Sequence, residues 1–151
     1  MLELSLQIIA AFWGTISFAI LFEAPPRLYI PCSLIGASGW LIYLLANEQF
    51  NSPAIATFIA SFMLTCFSRR ASHIYKVPTT VFLICGIFTL VPGIGVYNLT
   101  YTFLIGDKLG ILKQAEFVFK VSIAIAFGIS TAFLLPPISV REYRKQIQKN
   151  I

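Results

Sequence analysis

The chain has 151 residues, of which 58% are hydrophobic and 11% are charged. Soluble domains carry roughly a quarter charged residues, so this composition, with a mean hydropathy of +0.83, excludes an ordinary soluble domain. The net charge is +5, and most of the Lys and Arg residues lie between the apolar runs and near the C-terminal end. There it indicates membrane topology and not nucleic-acid binding. We expect a single integral membrane domain over residues 1–151.

Five runs without a charged side chain are each long enough to cross a hydrocarbon core of about 30 Å. They predict an all-α polytopic membrane protein with five transmembrane helices. The first run has no basic region before it, which indicates a retained helix and not a cleaved signal peptide. The predicted spans cover residues about 4–22, 30–46, 53–68, 78–105 and 117–135, with a basic cytoplasmic tail over 138–151.

Prolines and polar residues mark the helix boundaries. Pro31 fits the first turn of the second helix, where its missing N–H costs nothing. Residues 47–51 are predicted to form a polar turn, after which Ser52 is expected to cap a third helix that starts at Pro53.

The later boundaries follow the charged residues. The third helix is predicted to end near Ser68, because residues 69–76 are rich in basic side chains and are expected to form a connector. Pro78 then opens the fourth helix. Residues 109–116 are predicted to form a short interfacial helix before the fifth span.

The fourth run, residues 77–106, carries Val91-Pro92-Gly93-Ile94-Gly95 near its middle. A straight helix of this length measures about 45 Å, half as long again as the hydrocarbon core. Proline removes a backbone donor and the two glycines add backbone freedom, so we expect a break or kink at Pro92. Freed backbone groups in a membrane need protein or a water-lined cavity beside them, so the break is a candidate transport site. A kinked helix that only packs against its neighbours is an equally weighted alternative.

Polar side chains follow the break on the same predicted helix. They are placed to hold a zwitterionic or anionic solute through hydrogen bonds and the helix dipole. Hydrogen bonding between helices explains them equally well. The predicted substrate-pathway residues are Pro92, Gly93, Gly95, Tyr97, Asn98 and Thr100.

Small residues in the second span predict close helix packing. Gly36, Ala37 and Gly39 leave part of that helix nearly free of bulk, so another backbone can approach it. A substrate surface is the less favoured interpretation of the same residues.

The spans contain no pattern typical of an enzyme. His73 is the single histidine, the three cysteines lie in apolar runs, and no spacing resembles a zinc site. We therefore expect no catalytic residue, no metal site and no cofactor. No ionisable group lies deep in a span, so a proton-coupling group would have to lie at an interface or on another chain.

The loop charges predict the orientation. With five crossings, eight Lys and Arg residues fall on one side and three on the other, which puts the N-terminus outside and the C-terminus in the cytoplasm. A re-entrant fourth segment would leave four crossings and a seven-to-four division. That alternative stays open.

Short motifs in a fixed order resemble a known family. They are Ile35-Gly36-Ala37-x-Gly39, then Ser68-Arg69, then Lys76-x-Pro78-x-x-Val81-Phe82, and finally Leu90-Val91-Pro92-Gly93-x-x-x-Tyr97. In this order the chain is similar, over nearly its whole length, to the short membrane subunit of the split type in the bacterial threonine/serine exporter family.

The resemblance implies a function that composition does not show. It implies export of small amino acids such as threonine and serine, or of small carboxylates such as succinate, driven by the proton motive force. It also implies a bacterial inner-membrane location and a larger partner subunit with cytoplasmic and membrane regions. A non-transporting scaffold or assembly subunit is the alternative function.

The five-span topology predicts a labelling pattern. A cysteine placed within residues 108–113 should react with an impermeant thiol reagent added outside the cell, and a cysteine at position 72 should not. The parent chain, with its native cysteines, gives the background. The reverse pattern, or protection at both positions, would contradict the five-span topology.

Overall fold

A computed structural model describes residues 2–135, and the basic tail predicted over 138–151 lies outside these residues. The described part is all-helical, as predicted. A short 3₁₀ helix at Pro26–Leu28 joins the first two α-helices. The six α-helices are α1 (Leu2–Leu21), α2 (Tyr29–Phe50), α3 (Pro53–Tyr75), α4 (Thr79–Ile87), α5 (Gly93–Leu104) and α6 (Lys108–Leu134).

Helix α3 lies at the centre of the packing. It contacts α2, α4 and α6, while α1 packs against α2 and α4, and α5 packs against α6. The core where α2, α3 and α4 meet is built around Leu64 and Phe82, which are fully buried. In a membrane such side chains stabilise the bundle by van der Waals packing and not by removal from water, because lipid tails are as apolar as they are.

The corner between α2 and α3 differs in part from its prediction. Residues 47–50 continue α2, so the predicted polar turn over 47–51 is wrong, and the chain reverses at Asn51 with φ 46°. Asparagine tolerates this left-handed conformation better than most residues. Ser52 is extended at the start of α3 and precedes Pro53 in the first turn, as predicted, but the Ser52 side chain forms no capping hydrogen bond.

Helix α3 does not end at Ser68. It runs through residues 69–75 and ends at Lys76, which has φ 53°. The predicted basic connector is therefore wrong. Its basic residues mark a change in polarity along the helix, whereas the helix itself ends at a left-handed cap.

The charged stretch before the last span also belongs to a longer helix. Residues 109–116 are the first turns of α6 and not a separate interfacial helix. Glu116 and Lys120 form an ion pair of 2.5 Å on this helix, one turn apart. Such pairs support helix formation, so charge here does not interrupt the helix.

Within residues 2–135, three segments are long and apolar enough to cross a membrane: Glu3–Leu21, Pro26–Phe50 and Lys108–Leu134. These segments fit a membrane protein. The count of five spans, and the interpretation of α4 and α5 as one interrupted span, stay predictions.

Small residues lie at the close helix contacts. A Cβ atom at Gly36 would collide with Thr15 of α1, and one at Gly39 would lie 2.7 Å from the Leu64 side chain of α3. Ala37, which lies between these two glycines in the sequence, is also buried. Gly128 of α6 approaches the backbone of α3 closely, since a Cβ there would lie 2.7 Å from the Phe58 carbonyl oxygen.

The contact at Gly128 predicts a stability difference between two glycine substitutions. Gly128→Ala should lower the thermal unfolding midpoint in detergent, because overpacking costs about 1–3 kcal/mol. Gly14→Ala is the matched control: it lies in a helix with nothing within 4 Å of the added Cβ. Helix propensity alone should make that change neutral or stabilising by up to about 1 kcal/mol. Equal midpoints for both variants would contradict the close approach of α3 and α6.

Candidate functional site

A tight turn separates α4 from α5 at residues 88–92. Pro92 has φ −75° and ψ 63°, and the Gly93 N–H donates to the Val91 carbonyl at 2.7 Å. These are the angles and the hydrogen bond of an inverse γ-turn. Proline fits because its ring fixes φ near this value and no donor is required of it.

The turn is held in place by packing as well as by hydrogen bonds. The Leu90 N–H donates to the Ile87 carbonyl at 2.9 Å, and the Leu90 side chain is buried. The Phe88 ring stacks on Phe18 of α1 at 4.7 Å and lies 5.3 Å from the Phe22 ring. The direction change is therefore fixed by contacts with α1.

The two helices joined by this turn have different neighbours. Helix α4 packs against α1, α2 and α3, whereas α5 packs against α6. At 1.5 Å per residue, α4 is about 13 Å long and α5 about 18 Å. Neither alone matches a hydrocarbon core of about 30 Å.

The two glycines near Pro92 do not provide unusual backbone angles. Gly106, with φ 73°, is the glycine with positive φ among the described residues. A Cβ at Gly93 would meet nothing within 4 Å, whereas one at Gly95 would lie 3.0 Å from a Val118 methyl of α6. Gly95 therefore permits close packing of α5 against α6. Neither glycine adopts the unusual backbone angles that we predicted for it.

The predicted pathway residues divide between two faces of α5. Gly93, Tyr97 and Thr100 are exposed and follow one another at helical spacing, and Tyr97 is 69% exposed. Gly95 is buried against α6, and Asn98, one turn later, is half-buried. The structure therefore does not bring all six predicted residues to one face.

The hydroxyl of Thr100 bonds within its own helix. It donates to the Val96 carbonyl at 3.0 Å, so it forms no bridge from α5 to another helix in this arrangement. Thr102 likewise donates to the Asn98 carbonyl, at 3.0 Å. Within the described part of the chain, these hydroxyls favour local bonding over the predicted alternative of interhelical bonds.

Arg69 joins α3 to the end of α6, a role that sequence reasoning missed. Its guanidinium donates to the Ala132 carbonyl and, at 2.8 Å, to the Leu135 carbonyl. It also lies 5.7 Å from the centre of the Phe133 ring. The last carbonyls of a helix lack intrahelical donors and carry partial negative charge, so a cation stabilises them. The Ser68-Arg69 motif was the available signal, but the contact joins residues far apart in the chain.

An open cavity of about 380 Å³, whose lining is more apolar than polar, lies between the α2–α3 corner and the first half of α6. Its walls include Asn51, Ser52 and Pro53 on one side and Lys113, Glu116, Phe117 and Lys120 on the other. Sequence reasoning missed it because residues 109–116 were assigned to a separate helix. The signal was the spacing of the three charged residues, which puts them on one face of a helix.

Residues 7–135 match the model of a family described as "Threonine/Serine exporter, ThrE". An uncharacterized protein of Haemophilus influenzae is 28% identical over 99 residues, which cover 65% of this chain and 33% of the relative. An uncharacterized protein of Schizosaccharomyces pombe is 27% identical over 78 residues, covering 52% of this chain and 9% of the relative. The chain therefore matches about a third of the first relative and about a tenth of the second. No solved structure matches the chain.

The cap at the end of α6 predicts that two adjacent arginines differ in importance. Arg69→Gln should lower the unfolding free energy by about 1.5–3 kcal/mol, the range for hydrogen bonds to a charged group. Arg70→Gln should have little effect, because Arg70 is exposed on the same turn of α3. Chemical unfolding in detergent would measure both. Equal losses would show that charge in this region matters more than the contact with α6.

Proposed function

The chain belongs to the threonine/serine exporter family, and we propose that it is the membrane subunit of a secondary exporter. Its substrates are small amino acids such as threonine and serine, or small carboxylates such as succinate. It works with a larger partner subunit that has cytoplasmic and membrane regions. The observation that carries this proposal is the family match, which extends over residues 7–135.

The proposed pathway runs past the turn at Pro92 and along α5. The N–H groups in the first turn of a helix lack intrahelical acceptors and form the positive end of its dipole. At the start of α5 they are suited to a substrate carboxylate, as in transporters with interrupted helices. Asn98, one turn after Gly95, adds a half-buried amide to α5.

The partner subunit covers the exposed side of α5 in this proposal. Ile94 is 80% exposed and Tyr97 69%, on a helix that packs against α6. The chain also matches about a third of its Haemophilus relative. This supports the proposal that a larger partner supplies the rest of the exporter. The proton-coupling group lies at an interface or on the partner, because residues 77–106 carry no charge.

The location is the bacterial inner membrane, with the N-terminus outside and the C-terminus in the cytoplasm. This orientation rests on the distribution of Lys and Arg between the two sides. Five crossings require α4 and α5 to form one interrupted span. Their separate lengths of about 13 and 18 Å together match the core thickness of about 30 Å.

A scaffold subunit that does not transport is the second candidate. The observation in its favour is the firm packing of the turn, where Phe88 stacks on Phe18 and Leu90 is buried. A turn used only for packing needs no polar group on α5. Substitution of Asn98 therefore separates the two candidates.

Efflux of labelled solutes tests the proposal directly. Cells that express this chain and its partner should export threonine, serine or succinate, and cells that lack either subunit should not. Proteoliposomes that hold this chain alone should show no flux above empty vesicles. Export by the chain alone would overturn the two-subunit proposal, and no export with both subunits would overturn the exporter function.

Substitutions around the turn locate the pathway. Pro92→Ala restores a backbone donor, Gly93→Leu adds bulk to the exposed face, and Asn98→Leu removes a polar contact at similar volume. All three should insert and assemble but lose most export, and Asn98→Leu should also change the preference among substrates. Ile94→Leu, at a highly exposed position of the same helix, should export normally. Normal export by Pro92→Ala and Asn98→Leu would favour the scaffold function.

A further inference from the structure

We propose that Cys32 of α2 and Cys85 of α4 are a redox-sensitive pair, in which oxidation joins the two sulfurs and fixes α4 on α2. The chain has three cysteines, and all of them are free thiols in the structure. The pathway proposed at Pro92 uses none of them. Formation of the disulfide does not depend on the exporter function, whereas its effect on transport rests on that proposed function.

The two thiols meet inside the helix bundle. Cys32 is fully buried, Cys85 is 1% exposed, and both belong to the core where α2, α3 and α4 meet. Their side chains are hydrogen-bonded to each other, so the sulfurs lie in contact across the boundary between α2 and α4. A disulfide needs side chains that point toward each other and sulfurs about 2.05 Å apart. The first condition is met, and the second requires only that the sulfurs approach from contact.

The surroundings of the pair decide which oxidant reaches it. Leu28, Leu64 and Phe82, all fully buried, belong to the same core. Water-soluble oxidants have poor access to such a site, and buried cysteines are ordinarily inert toward them. An organic hydroperoxide dissolves in the membrane and reaches the bundle from its lipid side. This class of oxidant therefore fits the pair.

Oxidation by a hydroperoxide, ROOH, balances with the two thiols alone. One sulfur attacks the terminal oxygen of ROOH, the O–O bond breaks, and the proton of that thiol passes to the departing alkoxide. The products are an alcohol and a sulfenic acid. The second sulfur attacks the sulfenic sulfur to form the S–S bond, and the OH group leaves as water with the second thiol proton. The two sulfurs have then lost the two electrons that reduced the O–O bond.

Contact between the thiols favours the disulfide over further oxidation. The S–H of one cysteine donates to the sulfur of the other, which stabilises the attacking thiolate. The second thiol already touches the sulfenic acid when it forms, so the bond closes in an intramolecular step. A lone thiol has no such partner and passes on to irreversible sulfinic acid under continued oxidation. The pair therefore stays reducible.

A disulfide at this position acts on the turn at Pro92. Gly86 follows Cys85 and packs against Leu64 of α3, where an added Cβ would lie 3.2 Å from that side chain. When the sulfurs close to bonding distance, α4 is drawn toward α2 with little free space in which to adjust. The turn begins at Phe88, shortly after Cys85, so the shift reaches the start of α5. Packed cores respond to small shifts in discrete steps, and oxidation should therefore lower export.

Thiol counting in the full-length chain tests the pair. Cys66→Ala, which keeps Cys32 and Cys85, is placed in nanodiscs and treated with cumene hydroperoxide. After denaturation, a maleimide should label both thiols of the untreated protein and neither thiol of the treated protein, whose intact mass should fall by two hydrogen atoms. Dithiothreitol should restore both thiols. Retention of both, or a gain of oxygen at either sulfur in place of the bond, would overturn the proposal.

Cys32→Ala is the matched control, because it also holds two cysteines, Cys66 and Cys85, on helices that contact each other. It should form no intramolecular disulfide under the same treatment, and Cys85→Ala replaces it if the Cys32 variant does not fold. Closure at a similar rate would show that any two cysteines of the bundle pair by thermal motion, which overturns the role of the contact. Hydrogen peroxide at equal concentration should oxidise the native pair more slowly than cumene hydroperoxide. Equal rates would contradict entry through the membrane.

Efflux with the partner subunit tests the effect on transport. In proteoliposomes that hold both subunits, cumene hydroperoxide should lower the efflux of threonine, serine or succinate, and dithiothreitol should restore it. The same liposomes with Cys85→Ala should show no change that dithiothreitol reverses, which accounts for cysteines of the partner. A disulfide with unchanged efflux would overturn the effect on transport and leave the exporter function standing. No efflux in any arm would overturn the exporter function and leave the disulfide standing.

Discussion

The structure depends on satisfying backbone and hydroxyl groups without help from water, since each unsatisfied group in hydrocarbon costs several kcal/mol. Two buried hydroxyls meet this demand inside their own helices: Thr15 donates to the Ala11 carbonyl at 2.8 Å, and Thr65 donates to the Ser61 carbonyl at 2.7 Å. Polar bonds between helices are therefore not needed at these positions. The helices are held instead by close contact at small residues, where dispersion forces act over short distances.

The same requirement explains how the backbone carbonyls at helix ends obtain hydrogen-bond donors. Between α4 and α5 the chain uses an inverse γ-turn, so that Gly93 bonds to Val91 across Pro92. At the end of α6, Arg69 supplies donors from a neighbouring helix. The two ends therefore receive their donors by different routes.

Sequence patterns predicted helix content, the start of α3 at Ser52 and Pro53, and the all-α class well. These features arise from local sterics, such as the fixed φ of proline and the lack of a donor requirement in a first turn. The end of α3 and the start of α6 were predicted poorly, because the change from apolar to charged residues reports where solvent or headgroups begin. A helix end is set by a left-handed residue or a lost donor, as at Lys76.

The candidate sites were harder to predict because they depend on which helices are neighbours. Gly93 and Gly95 look equivalent in sequence, yet one faces open space and the other meets Val118 of α6. The cavity beside Lys113 unites an α2–α3 corner with a helix more than fifty positions later in the chain. Periodicity shows which residues share a face, but it does not show what that face contacts.

The turn at Pro92 also divides the chain into mechanically unequal parts. Helix α4 is attached to three helices, whereas α5 is attached to α6, whose later turns are anchored on α3 at Gly128. A force on α4 is shared by most of the bundle, whereas a force on α5 passes mainly to the first half of α6. For an 18 Å helix, a tilt of about 10° moves the far end by about 3 Å. Helix α5 is thus the compliant element of the fold, and tilting it leaves the apolar contacts among α1, α2, α3 and α4 intact.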